Sequence, residues 1–463
     1  MIQVYNTLAR DLVPLDTRDP GKVAMYVCGP TVQSEPHVGH GRSAVAFDVI
    51  RRYLTWRGFD VTFVRNITDV EDKIIAAASE SGVSMDELAV TMTAKFADAF
   101  VGLGVLEPDI EPKATESIPQ IIEIIQRLID RGLAYPRHGD VYISVRSFPG
   151  YGKLSGQNPD ELRSGSRIEI GEDKDDPLDF ALWKGRKPDE PWWDSPWGPG
   201  RPGWHIECSA MAGEYLGSDF DFHGGGSDLI FPHHENEIAQ SEGAFDQVFS
   251  RNWLHNGMVN LGGEKMAKST GLVVDLATIL RSVGGRALRM LYVRAHYRSP
   301  IEYSDELVVE AKESLDRLDR FRARSEAGEP DVSALGRFTE MMDDDFNTPG
   351  AVSLLFDLVR DGNRLLDENG DAASLAGAVE VIVQVLGLDD AAGPESAGID
   401  VSSASKAFGV RGTGEEAISE LIEMRNTARR AGRFDEADAI RVALDEAGVI
   451  LEDGSDGTRW LRR

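Results

Sequence analysis

The chain has 463 residues, too many for a single core, so roughly three or four domains are expected. Hydrophobic residues at 41% and charged residues at 27% are ordinary for a globular protein, and no apolar run reaches the roughly 18 residues that a membrane span needs. A net charge of −29 excludes indiscriminate adhesion to nucleic acid or anionic membrane, although residues 405–463, with ten basic and twelve acidic side chains, are the stretch least repulsive to a polyanion.

An apolar run from Val23 to Cys28 reads as a buried parallel strand, and Ala44 to Trp56 has the spacing of a helix. Between them His37-Val38-Gly39-His40 occupies a strand-to-helix turn, where backbone N–H groups and the positive end of the helix dipole can face an anion. A strand from Val61 to Val64 and a helix from Glu71 to Ser81 complete a β-α-β-α alternation, the signature of a parallel sheet whose sites lie at the carboxyl ends of its strands. Cys28 and Thr68 both fall at such ends. Met85 to Leu103 and Ile118 to Arg131 read as amphipathic helices. After them Gly139 to Val145, an acidic loop (Glu169 to Asp179) and the Trp- and Pro-rich Pro188 to Gly203 read as an insertion with little regular structure.

Gly203-Trp204-His205-Ile206-Glu207-Cys208 leads into a predicted helix from Ser209 to Tyr215, and His223-Gly224-Gly225-Gly226-Ser227-Asp228 reads as a glycine-rich turn. Pro232 suits the first position of the next helix. There His233 and Glu237, four residues apart, share a face, whereas His234 pairs with Ile238 on a different one, so His233 is the expected ligand. Beyond Lys265-Met266-Ala267-Lys268-Ser269 the pattern becomes wholly helical: Ser304 to Ala323, Leu335 to Met342, Gly350 to Leu366 and Ala373 to Leu386. A linker from Gly387 to Ser405 precedes two more helices, Gly414 to Ala431 and Phe434 to Glu446, and a short ending. The two cysteines are too far apart in sequence for a CxxC unit and too few for a disulfide framework, and the start lacks a basic, apolar leader, so a cytoplasmic location is expected.

Cys28, Cys208, His233 and Glu237 make an S, S, N, O donor set suited to zinc, but spacing alone equally allows two core thiols beside a His-Glu helical pair. His37 and His40 at a helix start could donate to phosphate oxygens, with Gly39 admitting a flat base or sugar, or could simply cap the helix. Lys265 and Lys268 could close over a triphosphate as point charges or be a solvated loop. Gly225 and Asp228 could cradle a ribose or form a plain turn. Arg425, Arg429 and Arg433, spaced by four, could read phosphates or base edges, with Trp460 as a stacking platform, or could belong to a solvated helix.

Together these residues resemble one family. His37-Val38-Gly39-His40 looks like the HIGH signature, and Lys265-Met266-Ala267-Lys268-Ser269 like the KMSKS signature, of class I aminoacyl-tRNA synthetases. Met25-Tyr26-Val27-Cys28-Gly29-Pro30-Thr31, Gly203 to Ser209, Phe222 to Asp228 and Phe231 to Glu237 resemble the cysteinyl-tRNA synthetases specifically. The resemblance implies an α/β fold: a Rossmann-like parallel-sheet catalytic domain with an insertion, then an α-helical bundle and a small C-terminal anticodon-binding domain. The expected boundaries are two catalytic halves (1–120 and 200–245), a connective insertion (121–199), a stem-contact region with the KMSKS-like loop (246–303), a bundle (304–388), a linker (389–405) and the anticodon-binding domain (406–463). It further implies that Cys28, Cys208, His233 and Glu237 bind one zinc, that Cys28, Thr68 and Trp204 line the cysteine pocket, and that His37, His40, Lys265 and Lys268 act on ATP with Mg²⁺. The partners expected are tRNA(Cys), L-cysteine and ATP, with a monomer acting alone. Val38 for Ile changes little, whereas Ala267 for Ser removes a hydroxyl from the second signature. The competing readings are a mycothiol-pathway ligase joining cysteine to an amino sugar, which would not need residues 406–463, and a non-catalytic zinc-containing RNA-binding protein.

Overall fold

The computed structural model describes residues 1–161, 174–261, 264–265 and 274–389, and in the tail 405–406, 408, 410, 414–447, 449–454 and 457–462. The segment holding Lys268, the loop residues 169–173 and most of the 387–405 linker lie outside the described residues, as do the side chains of Lys265 and Trp460. The chain divides into two compact units, Met1–Asp389 and Asp390–Arg463.

At the centre of the first unit is a four-stranded, all-parallel sheet in the order β10-β9-β3-β4, formed by β3 (Lys22–Val27), β4 (Asp60–Arg65), β9 (Phe220–Gly226) and β10 (Ser250–Asn256). Alternation along β3 builds a three-layer sandwich. Val23, Met25 and Val27 join a core with α1 (Val38–Trp56), while Ala24 and Tyr26 join the opposite core with α4 (Ile118–Asp130) and the helices Trp204–Leu216 and Glu235–Phe245. Helices α2 (Asp72–Ser81) and α3 (Met85–Gly102) pack together beyond β4. The expected βαβ alternation is therefore observed, with the first helix beginning at Val38 rather than Ala44.

Three expectations fail. Among the described residues the insertion is not irregular: β5 (Ala134–Arg137), β6 (Asp140–Ile143), β7 (Phe180–Gly185) and β8 (Gly200–Pro202) form an antiparallel sheet. The glycine run at 224–226 is the end of β9, not a turn. Its glycines are there for packing, since a Cβ on Gly224 would stand 2.3 Å from the Phe47 ring of α1. A further strand, β13 (Ile301–Tyr303), pairs with β11 (Val259–Leu261) in a stretch expected to be helical.

Four long helices follow, Asp305–Arg324, Val332–Asp343, Thr348–Asp367 and Ala373–Leu386, all within a turn of their predicted bounds. They are tied to α1 by a buried ion pair between Asp48 and Arg289, in which Arg289 also donates to the Leu386 carbonyl at 2.8 Å. Burial alone would raise the Asp48 carboxyl, but Arg289 and Arg52 override it and hold it below the ordinary carboxylate range. Its contribution is therefore present at neutral pH and lost as pH falls through that depressed value. Asp48→Asn should lower the unfolding free energy by about 3 to 5 kcal/mol, because it strands a buried guanidinium. A loss under about 1 kcal/mol in a denaturant titration would contradict this.

The second unit pairs the helices Gly414–Arg430 and Phe434–Glu446 with an antiparallel hairpin, β14 (Val449–Gly454) and β15 (Gly457–Arg462), where the sequence suggested only a short ending. Its own core includes Ile418, Leu421, Ile440, Leu444 and Val449.

Candidate active site

The chain leaves β3 at Cys28, whose N–H donates to the Gly224 carbonyl of β9, so its thiol stands at the carboxyl end of the sheet. Cys208 comes from the second turn of the Trp204–Leu216 helix, and its sulfur lies 3.7 Å from that of Cys28. Glu237 Oε1 is 3.6 Å from the Cys28 sulfur and 3.1 Å from His233 Nε2. All four donor atoms lie within 4.8 Å of one another. Bonds of about 2.0 to 2.3 Å to a tetrahedral zinc require donor separations of roughly 3.3 to 3.8 Å, so this donor set fits that ion with small adjustments.

His234 departs from expectation. Its Nε2 is 3.3 Å from the Cys28 sulfur and 3.9 Å from Glu237 Oε1, so it faces the same cluster as His233. The reason is local: His234 stands three residues before Glu237, and i and i+3 share a helical face just as i and i+4 do, so both histidines reach the same carboxyl. Cys28, His223, His234 and Glu237 accordingly make a second, overlapping donor set.

Around the donors lies a shell that periodicity did not single out. His223 Nε2 bonds Glu237 Oε2 at 2.8 Å, and His205 Nδ1 meets His233 Nδ1 at 2.9 Å. His234 Nδ1 meets His255 Nε2 at 2.8 Å, and His255 Nδ1 reaches Thr7 Oγ1 at 2.8 Å. Asn66, fully buried, accepts from the Gly29 N–H at 2.9 Å, donates to Thr68 Oγ1 at 3.3 Å and lies 3.7 Å from the Cys208 sulfur. Thr68 is thus fixed beside Cys208, and Trp204 stacks on His233 with centroids 4.3 Å apart.

Burial governs the electrostatics. It pushes the Cys28 thiol up, reinforced by Cys208, and pushes the Glu237 carboxyl well above its usual range. It also drives His233 and His234 well below the ordinary histidine value, and lowers His205, His223 and His255 to about 3. The imidazoles are therefore neutral, the form in which histidine can be a ligand.

At the other end of the turn His37 is the N-cap of α1, and its Nδ1 accepts from the Gly39 N–H at 3.1 Å while His40 Nδ1 accepts from the His37 N–H at 3.1 Å. A backbone N–H can only donate, so each neutral ring carries its proton on Nε2. The rings stack at 3.7 Å. Val38 N–H bonds the Val274 carbonyl and Leu276 N–H the Pro36 carbonyl, so the residues just after the Lys268 segment are stitched to this turn. Gly225 is buried in β9, where an added Cβ would stand 3.0 Å from the His234 ring, and Asp228 is exposed in the following turn. In the second unit Arg425 is only 3% exposed, packed into the helical core, so the expected arginine stripe loses its first member. Arg429 is exposed on the helix, and Arg433 lies past the helix end at Arg430.

Three family models match in succession: the class I (C) tRNA synthetase catalytic domain over residues 14–313, the DALR domain over 337–388, and the cysteinyl-tRNA ligase anticodon binding domain over 414–460. Curated cysteine–tRNA ligases from Syntrophobacter fumaroxidans and Syntrophotalea carbinolica are 46% and 48% identical, covering 99% and 100% of both chains respectively. The chain belongs to the cysteine–tRNA ligase family. Among solved structures, Mycobacterium tuberculosis methionyl-tRNA synthetase with methionyl-adenylate matches with TM-score 0.58 at 17% identity, over 81% of this chain and 92% of that one. A LeuRS–tRNA complex from Agrobacterium radiobacter matches with TM-score 0.59 at 13% identity, over 82% and 85%. Together with the catalytic-domain match, these likenesses show that this chain has a class I synthetase fold. The match over 414–460 favours a tRNA partner for this family member over the amino-sugar ligase reading.

Proposed function

We infer that this chain is a cysteine–tRNA ligase: it activates L-cysteine with ATP to the adenylate and transfers it to tRNA(Cys), with one zinc, held by Cys28, Cys208, His233 and Glu237, selecting the substrate thiol. The observation that carries this reading is the convergence of two thiols, an imidazole and a carboxyl at the carboxyl end of a parallel sheet whose first helix starts with His-Val-Gly-His.

The ordinary function of such a site would be to separate cysteine from serine, which differ by one atom. An apolar pocket distinguishes near-isosteres by only about 1 to 3 kcal/mol. Zinc, when bound, would supply a Lewis acid that takes a thiolate as ligand far more readily than an alcohol. The protein's part is to hold that ligand set in one protonation state. With His233 Nε2 as the ligand atom, its Nδ1–H donates to His205 Nδ1, which fixes the tautomer of both rings. His223 orients the Glu237 carboxyl by its second oxygen. Thr68, held by Asn66, and Trp204, stacked on His233, would wall the substrate side chain.

For the adenylation step no protein nucleophile is required. The cysteine carboxylate attacks the α-phosphorus of ATP and pyrophosphate leaves; the terminal ribose hydroxyl of tRNA then attacks the carbonyl of the adenylate, the acyl–phosphate bond breaks and AMP leaves. His37 and His40 present Nε2–H donors at a helix start, suited to the charge that grows on phosphate oxygens during displacement, and Lys265 and Lys268 would add cations, with Mg²⁺ on the triphosphate. Gly39, Gly225 and Asp228 would receive the nucleoside, while Arg429, Arg433 and Trp460 remain the tail positions proposed for tRNA. The enzyme would work as a monomer in the cytoplasm; no described helix is long and apolar enough to cross a membrane.

Purified protein should catalyse pyrophosphate exchange into ATP that depends on cysteine, and should charge tRNA(Cys) with cysteine at least about 1,000-fold more efficiently than with serine. Exchange that is absent with cysteine, or equal with serine, would refute the reading.

A further inference from the structure

We propose that Lys73 is a positioning residue for the cysteine pocket, acting through Trp204; the proposal rests on the ligase reading and deepens it. Lys73 is the second residue of α2, and its backbone N–H donates to the carboxylate of the N-cap, Glu71, at 2.6 Å. The residue between them, Asp72, is clamped by Lys184 of β7 and Arg201 of β8, both carried by the inserted sheet. Two independent anchors therefore fix the start of α2.

From that fixed start the Lys73 ammonium lies over the Trp204 ring, 5.5 Å from its centroid. The indole in turn stacks on His233, with centroids 4.3 Å apart and planes 29° from parallel. Trp204 opens the helix that carries Cys208 four residues later, so the same indole touches one proposed zinc ligand and sits on the element of another. Cation, indole and imidazole thus form one continuous contact from an exposed side chain to the buried donor set.

Lys73 is exposed, yet among the described residues it makes no ion pair. Its neighbours Asp72 and Glu71 are committed elsewhere, one to the sheet and one to the cap. What its charge meets is the electron-rich face of an indole, an attraction that costs little desolvation and restricts the ring. A tryptophan is a useful wall only in one rotamer. Contacts to His205 and His233 restrain the ring from the metal side, and the ammonium supplies a restraint that reaches it from α2. Releasing that restraint should loosen cysteine binding without touching the reacting carboxylate, the triphosphate or the zinc ligands.

The test compares Lys73→Met, which keeps the length and apolar stem, with Lys73→Arg, which keeps the cation, in the full-length zinc-loaded protein. K73M should raise the KM for cysteine in pyrophosphate exchange about fivefold, and raise by the same factor the cysteine concentration that half-saturates the change in tryptophan fluorescence. That fluorescence change should be absent from a Trp204→Phe background. The kcat, the KM for ATP and the zinc content should stay within about twofold of wild type, and K73R should restore the cysteine affinity. An unchanged KM in K73M, an equal defect in K73R, or a defect confined to the KM for ATP or to tRNA charging would each overturn the proposal. Wild-type exchange with cysteine, run alongside, tests the ligase reading separately.

Discussion

Cys208→Ser is expected to strip the protein of zinc and to reduce kcat/KM for cysteine in pyrophosphate exchange by about 100-fold or more. The size follows from the site's construction. The Cys208 sulfur stands 3.7 Å from that of Cys28, one edge of the donor tetrahedron, and the position is buried. A serine hydroxyl there is shorter and remains protonated, so it is a poor ligand. The loss should fall on the KM for cysteine more than on the KM for ATP, because His37 and His40 belong to a different turn. Metal analysis of the purified variant decides the matter. One zinc per chain in Cys208→Ser would mean that the ligand set is misassigned, and the overlapping set with His223 and His234 would take its place.

The second large effect concerns the tail. A chain ending at Asp389 should exchange pyrophosphate with cysteine within about twofold of the full-length rate, yet lose about 100-fold or more in kcat/KM for charging tRNA(Cys), the equivalent of two base contacts at 1 to 3 kcal/mol each. All residues assigned to activation precede that point, and the tail unit has a core of its own. Full charging by the shortened chain would show that tRNA is identified without residues 390–463.

Where the sequence was transparent, one local period decided the structure. The helix Ala373–Leu386 was bounded to the residue, because its apolar positions repeat cleanly and a glycine in the left-handed conformation, Gly387, ends it. The parallel strand before Cys28 was legible as an unbroken apolar run. The inserted sheet was not, since its strands are three to six residues long, include Pro136, Pro202, Trp183 and Gly185, and are held together across nearly 40 residues of intervening chain between β6 and β7. His234 faces the cluster through an i to i+3 relation with Glu237, which pairing it only with Ile238 at i+4 leaves out. His205, His223 and His255 come from a helix and two neighbouring strands, and only the parallel pairing of β9 with β10 brings the last two together. Arg425 matches its neighbours in spacing, but tertiary packing, which spacing does not encode, buries it.

Cys28 and Glu237, whose donor atoms meet at 3.6 Å, are 209 residues apart along the chain. At a ribosomal rate of about 5 to 20 residues per second, the first thiol waits roughly 10 to 40 s for the last member of its set to be synthesised. With zinc on this proposed set, loading would wait for residue 237 and would report that β3, β4 and β9 had been made and joined. A nascent chain interrupted anywhere before residue 237 has its first cysteine but no complete site, so the ion proposed to select the substrate would also mark the joining of segments some 200 residues apart.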